Sequence, residues 1–275
     1  VWYRWFNEVP VPLLIGIVLL AAMALLAIIA GWTLVNHLIW KCGQRRAEQA
    51  YRAKRIQPDG TPILVSSHEQ VLGGKTGQVY LGCQFPAREA YRAMIQDHAM
   101  RVGEVLSEKG VIGRFGIDFL LTRGPGEPWR ANALEINLRM GGTTPPFHAL
   151  EFLTSGTLNG DTGIFQTPAG HEKFYSATDN LKSPAYRGLL PEDLFDIIIR
   201  NKIHYQPDSG TGVLFYMIGA LSQYGKLGMT CIGNSPAEAD ELFRRTVALL
   251  DRETDTGAHA HGELEPLFDN PVYME

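Results

Sequence analysis

Two carboxylates and one amide, Asp118, Glu135 and Asn137, lie in a stretch of sequence in which polar and apolar residues alternate. If they occupy facing positions of two paired strands, a cross-strand distance of about 5 Å brings the three side chains together on one face. Neighbouring carboxylates repel each other, and a divalent cation removes that cost. Because all three side chains offer oxygen, Mg²⁺ suits them better than zinc, which favours histidine and cysteine. The spacing leaves one alternative open, a solvated outer face of an amphipathic hairpin.

A cationic side chain and a donor-rich loop follow directly. Arg139 comes two residues after Asn137 and continues the same alternating face. The next loop offers backbone N–H groups and hydroxyl groups from Gly141, Gly142, Thr143 and Thr144. Such a loop suits an anionic phosphate or acyl phosphate. Metal, arginine and donor loop together favour phosphoryl transfer from a nucleotide.

The hairpin that must position these groups consists of two alternating segments. Residues 114–121 (RFGIDFLL) and 132–138 have the period of two that is typical of strands. Between them, the segment 122–129 (TRGPGEPW) is rich in glycine and proline and predicts a hairpin connection. A turn centred on this connection puts Asp118 opposite Glu135.

The surrounding elements mix strands and helices. The sequence predicts helices at 87–109, from Pro191 onward and at 235–250, and strands at 62–69 and 213–221. Residues 71–82 read as two short strands around a glycine-rich turn. A polar segment holding Asp179, Asn180, Lys182, Tyr186 and Arg187 is either a contact for a second substrate or an ordinary surface loop. The predicted fold class is α+β.

Composition excludes several classes of protein. The chain has 275 residues and a formal charge of −4. That charge argues against a general nucleic-acid binder, so we expect no nucleic-acid partner. Its three cysteines, Cys42, Cys83 and Cys231, are too few and too widely spaced for a disulfide framework, which favours a reducing compartment.

An apolar segment near the start of the sequence predicts a membrane contact. Residues 13–35 form a run of 23 residues without a charged side chain, which as a helix is long enough to cross a hydrocarbon core of roughly 30 Å. The basic residues that follow the run are Lys41, Arg45, Arg46, Arg52, Lys54 and Arg55. By the positive-inside rule we expect a single-pass protein in the lipid bilayer with its C-terminal domain in the cytoplasm.

We therefore expect four regions. These are a transmembrane segment at 1–40, a basic linker at 41–60, a folded lobe at 61–252 that ends in a hairpin and a helix, and an acidic flexible tail at 253–275. The linker reads as a helical extension of the span, which breaks at the turn signal of residues 58–60.

Several long motifs resemble one enzyme family. The segments GRFGIDFLL, LEINLRMGGTTPPF and VSSHEQVLGGKTGQVYLGCQFPA are similar to the C-terminal part of ATP-grasp carboxylate–amine ligases, specifically the pheganomycin-type peptide ligase group. The segments SATDNLKSPAYRGLLPEDLFDII and TGVLFYMIGALSQYGKLGMTCIGNSPAEA extend the resemblance to roughly residues 56–252. It implies the C-terminal lobe of the ATP-grasp fold, an antiparallel sheet with packed helices.

The resemblance also implies an activity and roles for individual residues. It assigns Mg²⁺ to Asp118, Glu135 and Asn137, and the transferred phosphate or acyl phosphate to Arg139. ATP would phosphorylate a carboxylate of a small molecule or peptide, and an amine would then displace the phosphate to form an amide. ATP and Mg²⁺ are the expected cofactors. Two other functions stay open, a membrane-tethered nucleotide- or metal-binding module without turnover and a structural fusion product.

The sequence departs from the family at two places. Pro145 stands where the family loop has histidine, and His148 follows three positions later. The family clamps ATP between two lobes, and the first lobe needs more chain than the roughly 60 residues that precede the matching part. We therefore expect this chain to work with a separate N-terminal ATP-grasp lobe, and alone to bind Mg–ATP weakly without detectable ligation.

Overall fold

The computed structural model describes residues 46–75 and 77–254, with side chains from Lys54 onward. The strands are β1 (Arg46–Ile56), β2 (Pro62–Gly73), β3 (Val79–Phe85), β4 (Gly113–Arg123), β5 (Arg130–Asn137), β6 (Thr157–Leu158), β7 (Phe165–Gln166), β8 (Glu172–Lys182), β9 (Gly212–Tyr216) and β10 (Lys226–Gly233). The α-helices are α1 (Glu89–Glu108), α2 (Thr144–Thr154), α3 (Pro191–Arg200), α4 (Leu221–Tyr224) and α5 (Pro236–Thr254).

The strands form one sheet in the order β5-β4-β1-β2-β3-β8-β10-β9, with β6 and β7 attached at β8. The pairings β1–β2, β2–β3, β3–β8, β8–β10, β9–β10 and β4–β5 are all antiparallel. The described residues divide into two compact units, one with residues 47–75, 77–122 and 129–254 and the other with Arg46 and residues 123–128. An antiparallel sheet with packed helices confirms the predicted α+β class.

Helices cover both faces of the sheet. On one face, α1 packs through Tyr91 and Ile95 against Ile117 and Phe119 of β4, and α5 packs through Phe243 on another part of the sheet. On the other face, α2 lies against the sheet, with the Phe147 and Phe85 rings 5.6 Å apart. Because successive residues of a strand point to opposite faces, neighbouring strand residues pack against helices on opposite sides of the sheet.

The predicted helix at residues 41–60 is wrong where the structure describes that segment. Residues 46–56 form strand β1, which pairs with β2. Within β1, Lys54 and Ile56 are buried and Arg55 is exposed, so the end of the strand has the period of two. Sheet pairing on both sides of β1 outweighs the helix propensity of its alanines. The turn signal at 58–60 connects β1 to β2, with Gly60 N donating to Gln57 O over 2.9 Å.

The predicted membrane span at 13–35 lies outside the described residues. Within residues 46–75 and 77–254, no helix is both long enough and apolar enough to span a membrane. The predicted acidic tail also lies outside the described part, apart from its first two residues, which end α5.

Candidate active site

The predicted hairpin forms and carries the predicted polar face. Strands β4 and β5 pair with Asp118 opposite Glu135 and Gly116 opposite Asn137. A bulge after Asp118 then puts Phe119 opposite Ala133, so Leu134 is the extra residue on β5. Strict alternation along β5 would put Ala133 on the face of Glu135 and Asn137. The bulge moves it to the other face, because an added residue reverses the alternation.

The Asp118 carboxylate receives hydrogen bonds from two amides. Asn137 Nδ2 donates to Asp118 Oδ2 over 2.9 Å, as the predicted shared face requires. Gln70 Nε2 donates to Asp118 Oδ1 over 2.7 Å from strand β2. Both carboxylate oxygens are therefore held in place by neutral donors, which fixes the direction of the carboxylate.

Burial raises the pKa of Asp118 above its ordinary value. The nearby Glu135 carboxylate adds to the rise, whereas the Gln70 and Asn137 amides and the Arg139 guanidinium oppose it. Desolvation is the largest cause because it disfavours the charged form of a carboxyl. Burial therefore disfavours the ionised form of the Asp118 carboxyl in the isolated chain.

A cavity of about 330 Å³ opens beside this carboxylate. We call it the Asp118 pocket, and its lining consists of Gln70, Tyr80, Asp118, Asn137, Arg139, Gly141, Gly142, Thr143 and Asp179. Six of the eight predicted site residues therefore line this pocket, namely Asp118, Asn137, Arg139, Gly141, Gly142 and Thr143. Its volume lies in the usual range for sites of small ligands, roughly 300–1,000 Å³.

Two predicted residues lie outside this lining. Glu135 is exposed and faces Asp118 from across the hairpin, close enough to influence its pKa. Thr144 shapes the loop, since its Oγ1 accepts from Gly141 N over 3.1 Å and its own N–H donates to Gly141 O over 3.0 Å. Gly141 N is consequently engaged within the loop, which reduces the predicted set of donors.

The loop lies at the start of helix α2, which begins at Thr144 with prolines in its first turn. A side chain at Gly142 would crowd Asp179, because a Cβ there would lie 2.9 Å from Asp179 Oδ2. His148 does not take the place of the histidine that Pro145 replaces in the loop. It is exposed on α2, 2.9 Å from Glu151 Oε2, and is not part of the pocket lining.

Three lining residues are absent from the sequence-based site. Gln70 and Tyr80 come from β2 and β3, and Asp179 belongs to strand β8, whereas the sequence pattern placed it in a polar segment. Burial raises the pKa of Tyr80 well above its ordinary value, so its hydroxyl stays protonated. Of the three, only Asp179 is a candidate from the sequence, as a member of the polar segment that is either a contact for a second substrate or an ordinary surface loop. The meeting of these residues depends on the order of strands in the sheet.

Among the residues at 46–75 and 77–254, no three His, Cys, Asp or Glu side chains cluster in a way that could hold a metal ion. The predicted metal ligands include only two such side chains, Asp118 and Glu135. The third predicted ligand is the Asn137 amide. This donor set consists of oxygen atoms only, which fits Mg²⁺ and does not fit zinc.

Comparison with known proteins identifies relatives of the chain. Over 195 residues it is 35% identical to the L-propargylglycine–L-glutamate ligase of Streptantibioticus cattleyicolor, a match that covers 71% of this chain and 39% of that ligase. This confirms the resemblance to the ATP-grasp carboxylate–amine ligases. In addition, residues 193–246 match the family model described as the PGM1 C-terminal domain. The chain spans 39% of the length of the ligase that it matches.

Solved structures with a similar arrangement are more distant. The phosphoribosylaminoimidazole carboxylase ATPase subunit from Aquifex aeolicus aligns with a TM-score of 0.44 and 14% identity, over 74% of this chain and 56% of its own. The N5-carboxyaminoimidazole synthase from Aspergillus clavatus, in complex with ADP and 5-aminoimidazole ribonucleotide, aligns with a TM-score of 0.46 and 14% identity, over 74% of this chain and 52% of its own.

Proposed function

We propose that the Asp118 pocket binds Mg²⁺ and the phosphates of ATP, and that the protein takes part in ATP-dependent ligation of a carboxylate to an amine. The observation that carries the proposal is the pairing of Asp118 with Asn137 inside a pocket that also holds Arg139 and Gly142. A partly buried carboxylate with a raised pKa beside a guanidinium and a glycine loop suits a magnesium phosphate.

Asp118, Glu135 and Asn137 would hold the metal. The Asn137 amide nitrogen donates to Asp118, so its carbonyl oxygen is the atom left for a cation. Bound Mg²⁺ would neutralise charge on the phosphate oxygens of the nucleotide. It would also offset the desolvation that disfavours ionised Asp118.

Arg139 would stabilise charge on the phosphoryl group in transfer. In the proposed reaction a carboxylate oxygen attacks the γ-phosphorus of ATP, the bond from that phosphorus to the bridging oxygen breaks, and ADP leaves. The amine nitrogen then attacks the acyl carbon, inorganic phosphate leaves, and the nitrogen loses one proton as the amide forms. Arg139 is exposed at the pocket and is not paired with a carboxylate among the described ion pairs.

The name of the related ligase supports the substrate class. That enzyme joins L-propargylglycine to L-glutamate, as its name states. We propose amino acids or short peptides as the source of both the carboxylate and the amine here. Since the ATP-grasp family clamps ATP between two lobes, we further propose that a separate N-terminal ATP-grasp lobe completes the nucleotide contacts.

The test is carboxylate-dependent release of ADP. The chain is assayed alone and with the N-terminal lobe of the related ligase added, using Mg–ATP, L-glutamate as amine and a panel of amino-acid carboxylates. We expect release only with the added lobe, with both substrates and with Arg139 intact. Arg130→Ala, at the exposed far end of β5, is the matched control. ADP release that needs no carboxylate, or that survives Arg139→Ala, contradicts the proposal. Nucleotide binding without release in every mixture would favour a binding module.

A further inference from the structure

A second, larger cavity lies on the other face of the sheet. Its volume is about 710 Å³, and Glu69 of β2 and Gln84 of β3 belong to its lining. Gln70, the next residue of β2, lines the Asp118 pocket. Since successive strand residues point to opposite faces, the sheet separates the two cavities. We call the second one the interhelical cavity because residues of α1 and α5 form its walls.

The floor of the interhelical cavity is polar where a helix packs on a sheet. Asp240 of α5 accepts hydrogen bonds from Gln84 Nε2, at 3.0 Å to Oδ1 and 2.9 Å to Oδ2. Ser176 Oγ of β8 also donates to Asp240 Oδ1. Apolar side chains would hold α5 to the sheet without the cost of desolvating a carboxylate. Burial indeed raises the pKa of Asp240, so packing alone does not account for this residue.

Charges of both signs surround the floor. Arg88 and Arg92 stand at the start of α1, and Arg244 stands one turn after Asp240 on α5. Arg244 contacts Glu241 over 2.9 Å with both side chains exposed, and an exposed pair of this kind contributes little. The guanidinium of Arg244 can therefore exchange that partner for a ligand. On the acidic side, Glu89 and Glu172 join Asp240.

Apolar side chains also line the cavity. They include Pro86, Ile164 and Phe174. A cavity lined by both guanidinium and carboxylate groups, with apolar side chains beside them, matches a ligand that carries one charge of each sign. A nucleotide fits poorly, because the carboxylates Glu89, Glu172 and Asp240 would repel several phosphate charges.

We propose that the interhelical cavity binds a small zwitterion, a free α-amino acid or a dipeptide, with its carboxylate at the arginines and its ammonium at Asp240 and Glu172. Arginine recognises carboxylates through paired N–H groups, and Asp240 is already oriented by Gln84 and Ser176. The volume of about 710 Å³ admits a ligand of that size. This site is separate from the Asp118 pocket and needs no nucleotide.

Isothermal titration calorimetry of the full chain without nucleotide tests the proposal. The probes are L-glutamate, L-alanine and glycylglycine, with N-acetylglycinamide as an uncharged control. We expect at least one zwitterion to bind in the range of about 1 mM or tighter and the uncharged control not to bind. Asp118→Asn, in the other pocket, should leave that affinity unchanged.

Two variants test whether the zwitterion binds in the interhelical cavity. Asp240→Asn and Arg88→Ala should each weaken the binding of the zwitterion about 10-fold or more, since each removes one charge from the lining. Arg245→Ala is the matched control, because Arg245 lies on the same helix but donates to Asn201 O outside this cavity. Circular dichroism verifies that each variant folds.

The proposal is overturned if no zwitterion binds at 10-fold above that concentration, or if N-acetylglycinamide binds equally well. It is also overturned if folded Asp240→Asn and Arg88→Ala bind as the unchanged protein does. A loss of ADP release with intact zwitterion binding would count against the proposed ligase function alone, so the two proposals fail separately.

Discussion

Gln70 of β2 donates a hydrogen bond of 2.7 Å to Asp118 of β4, although strand β1 lies between those two strands in the sheet. The long Gln70 side chain therefore reaches across one strand to hold the central carboxylate of the pocket. Asn137 holds the other oxygen from the neighbouring strand β5. The carboxylate is thus positioned from both sides by groups distant in sequence.

Replacing Gln70 should weaken metal binding. Gln70→Leu removes a donor that lowers the pKa of Asp118, so the carboxyl needs a higher pH to ionise. We expect Mn²⁺ affinity to fall about 10-fold near neutral pH, the usual effect of losing a residue that orients a metal ligand, and the pH of half-maximal binding to rise. Gln166→Leu, an exposed glutamine of β7, is the control. An unchanged pH profile for Gln70→Leu would refute its positioning role.

Removing the charge of Asp118 should stabilise the metal-free protein. Its folded-state pKa is raised, mainly by burial, so ionisation in the folded state costs stability as pH rises through that raised pKa. At pH 7 the melting temperature of Asp118→Asn should exceed that of the unchanged protein. The difference should vanish below the pKa of the aspartate in the unfolded chain, about 3.9. Melting curves across that pH range check it. A lower melting temperature for Asp118→Asn at pH 7 would show that its hydrogen bonds outweigh desolvation.

Arg139→Ala should separate nucleotide binding from metal binding. The guanidinium lines the pocket beside the metal set, so its loss should weaken ATP binding about 10-fold, the size expected for one charge-assisted contact. Binding of Mn²⁺ alone should stay the same or tighten, because a neighbouring positive charge is gone. Fluorescence titration with a nucleotide analogue measures the first effect and spin resonance the second. Equal ATP affinity in Arg139→Ala and Arg130→Ala would contradict the assignment.

Lys173 lies outside the Asp118 pocket and should contribute strongly to the free energy of unfolding. It is 3% exposed, and its Nζ donates to Ser209 O, Gly210 O and Asn234 Oδ1 over 2.9, 3.0 and 2.6 Å. Lys173→Met leaves these acceptors without their donor, which should cost about 3 kcal/mol in urea unfolding. Lys182→Met, exposed at the end of the same strand, should change stability little. A loss below about 0.5 kcal/mol in Lys173→Met would contradict this role.

The sequence predicted the local parts of the site and missed the long-range ones. The pairing of Asp118 with Glu135 follows from alternation and one turn, which are both local. The contact with Gln70 depends on which strands are neighbours in the sheet. No periodicity in a single sequence encodes that order.

Strand β1 shows a second limit of prediction from the sequence. Its alanine-rich, basic sequence favours a helix, and only its place between β2 and β4 makes it a strand. The bulge that reorients Ala133 is likewise set by the fit of β5 against β4. The membrane span at 13–35 stays a prediction.

The central claim is that Asp118, Glu135 and Asn137 form one metal site that serves a nucleotide. Electron spin resonance of Mn²⁺, with and without ATP, tests it most directly, in the unchanged chain and in a variant with Asp118→Asn, Glu135→Gln and Asn137→Ala together. Asn132→Ala, an exposed amide on β5, is the control. We predict saturable Mn²⁺ binding that ATP tightens, retained in Asn132→Ala and lost in the triple variant. A triple variant that binds Mn²⁺ and Mn–ATP as the unchanged chain does would show that this hairpin face is merely solvated.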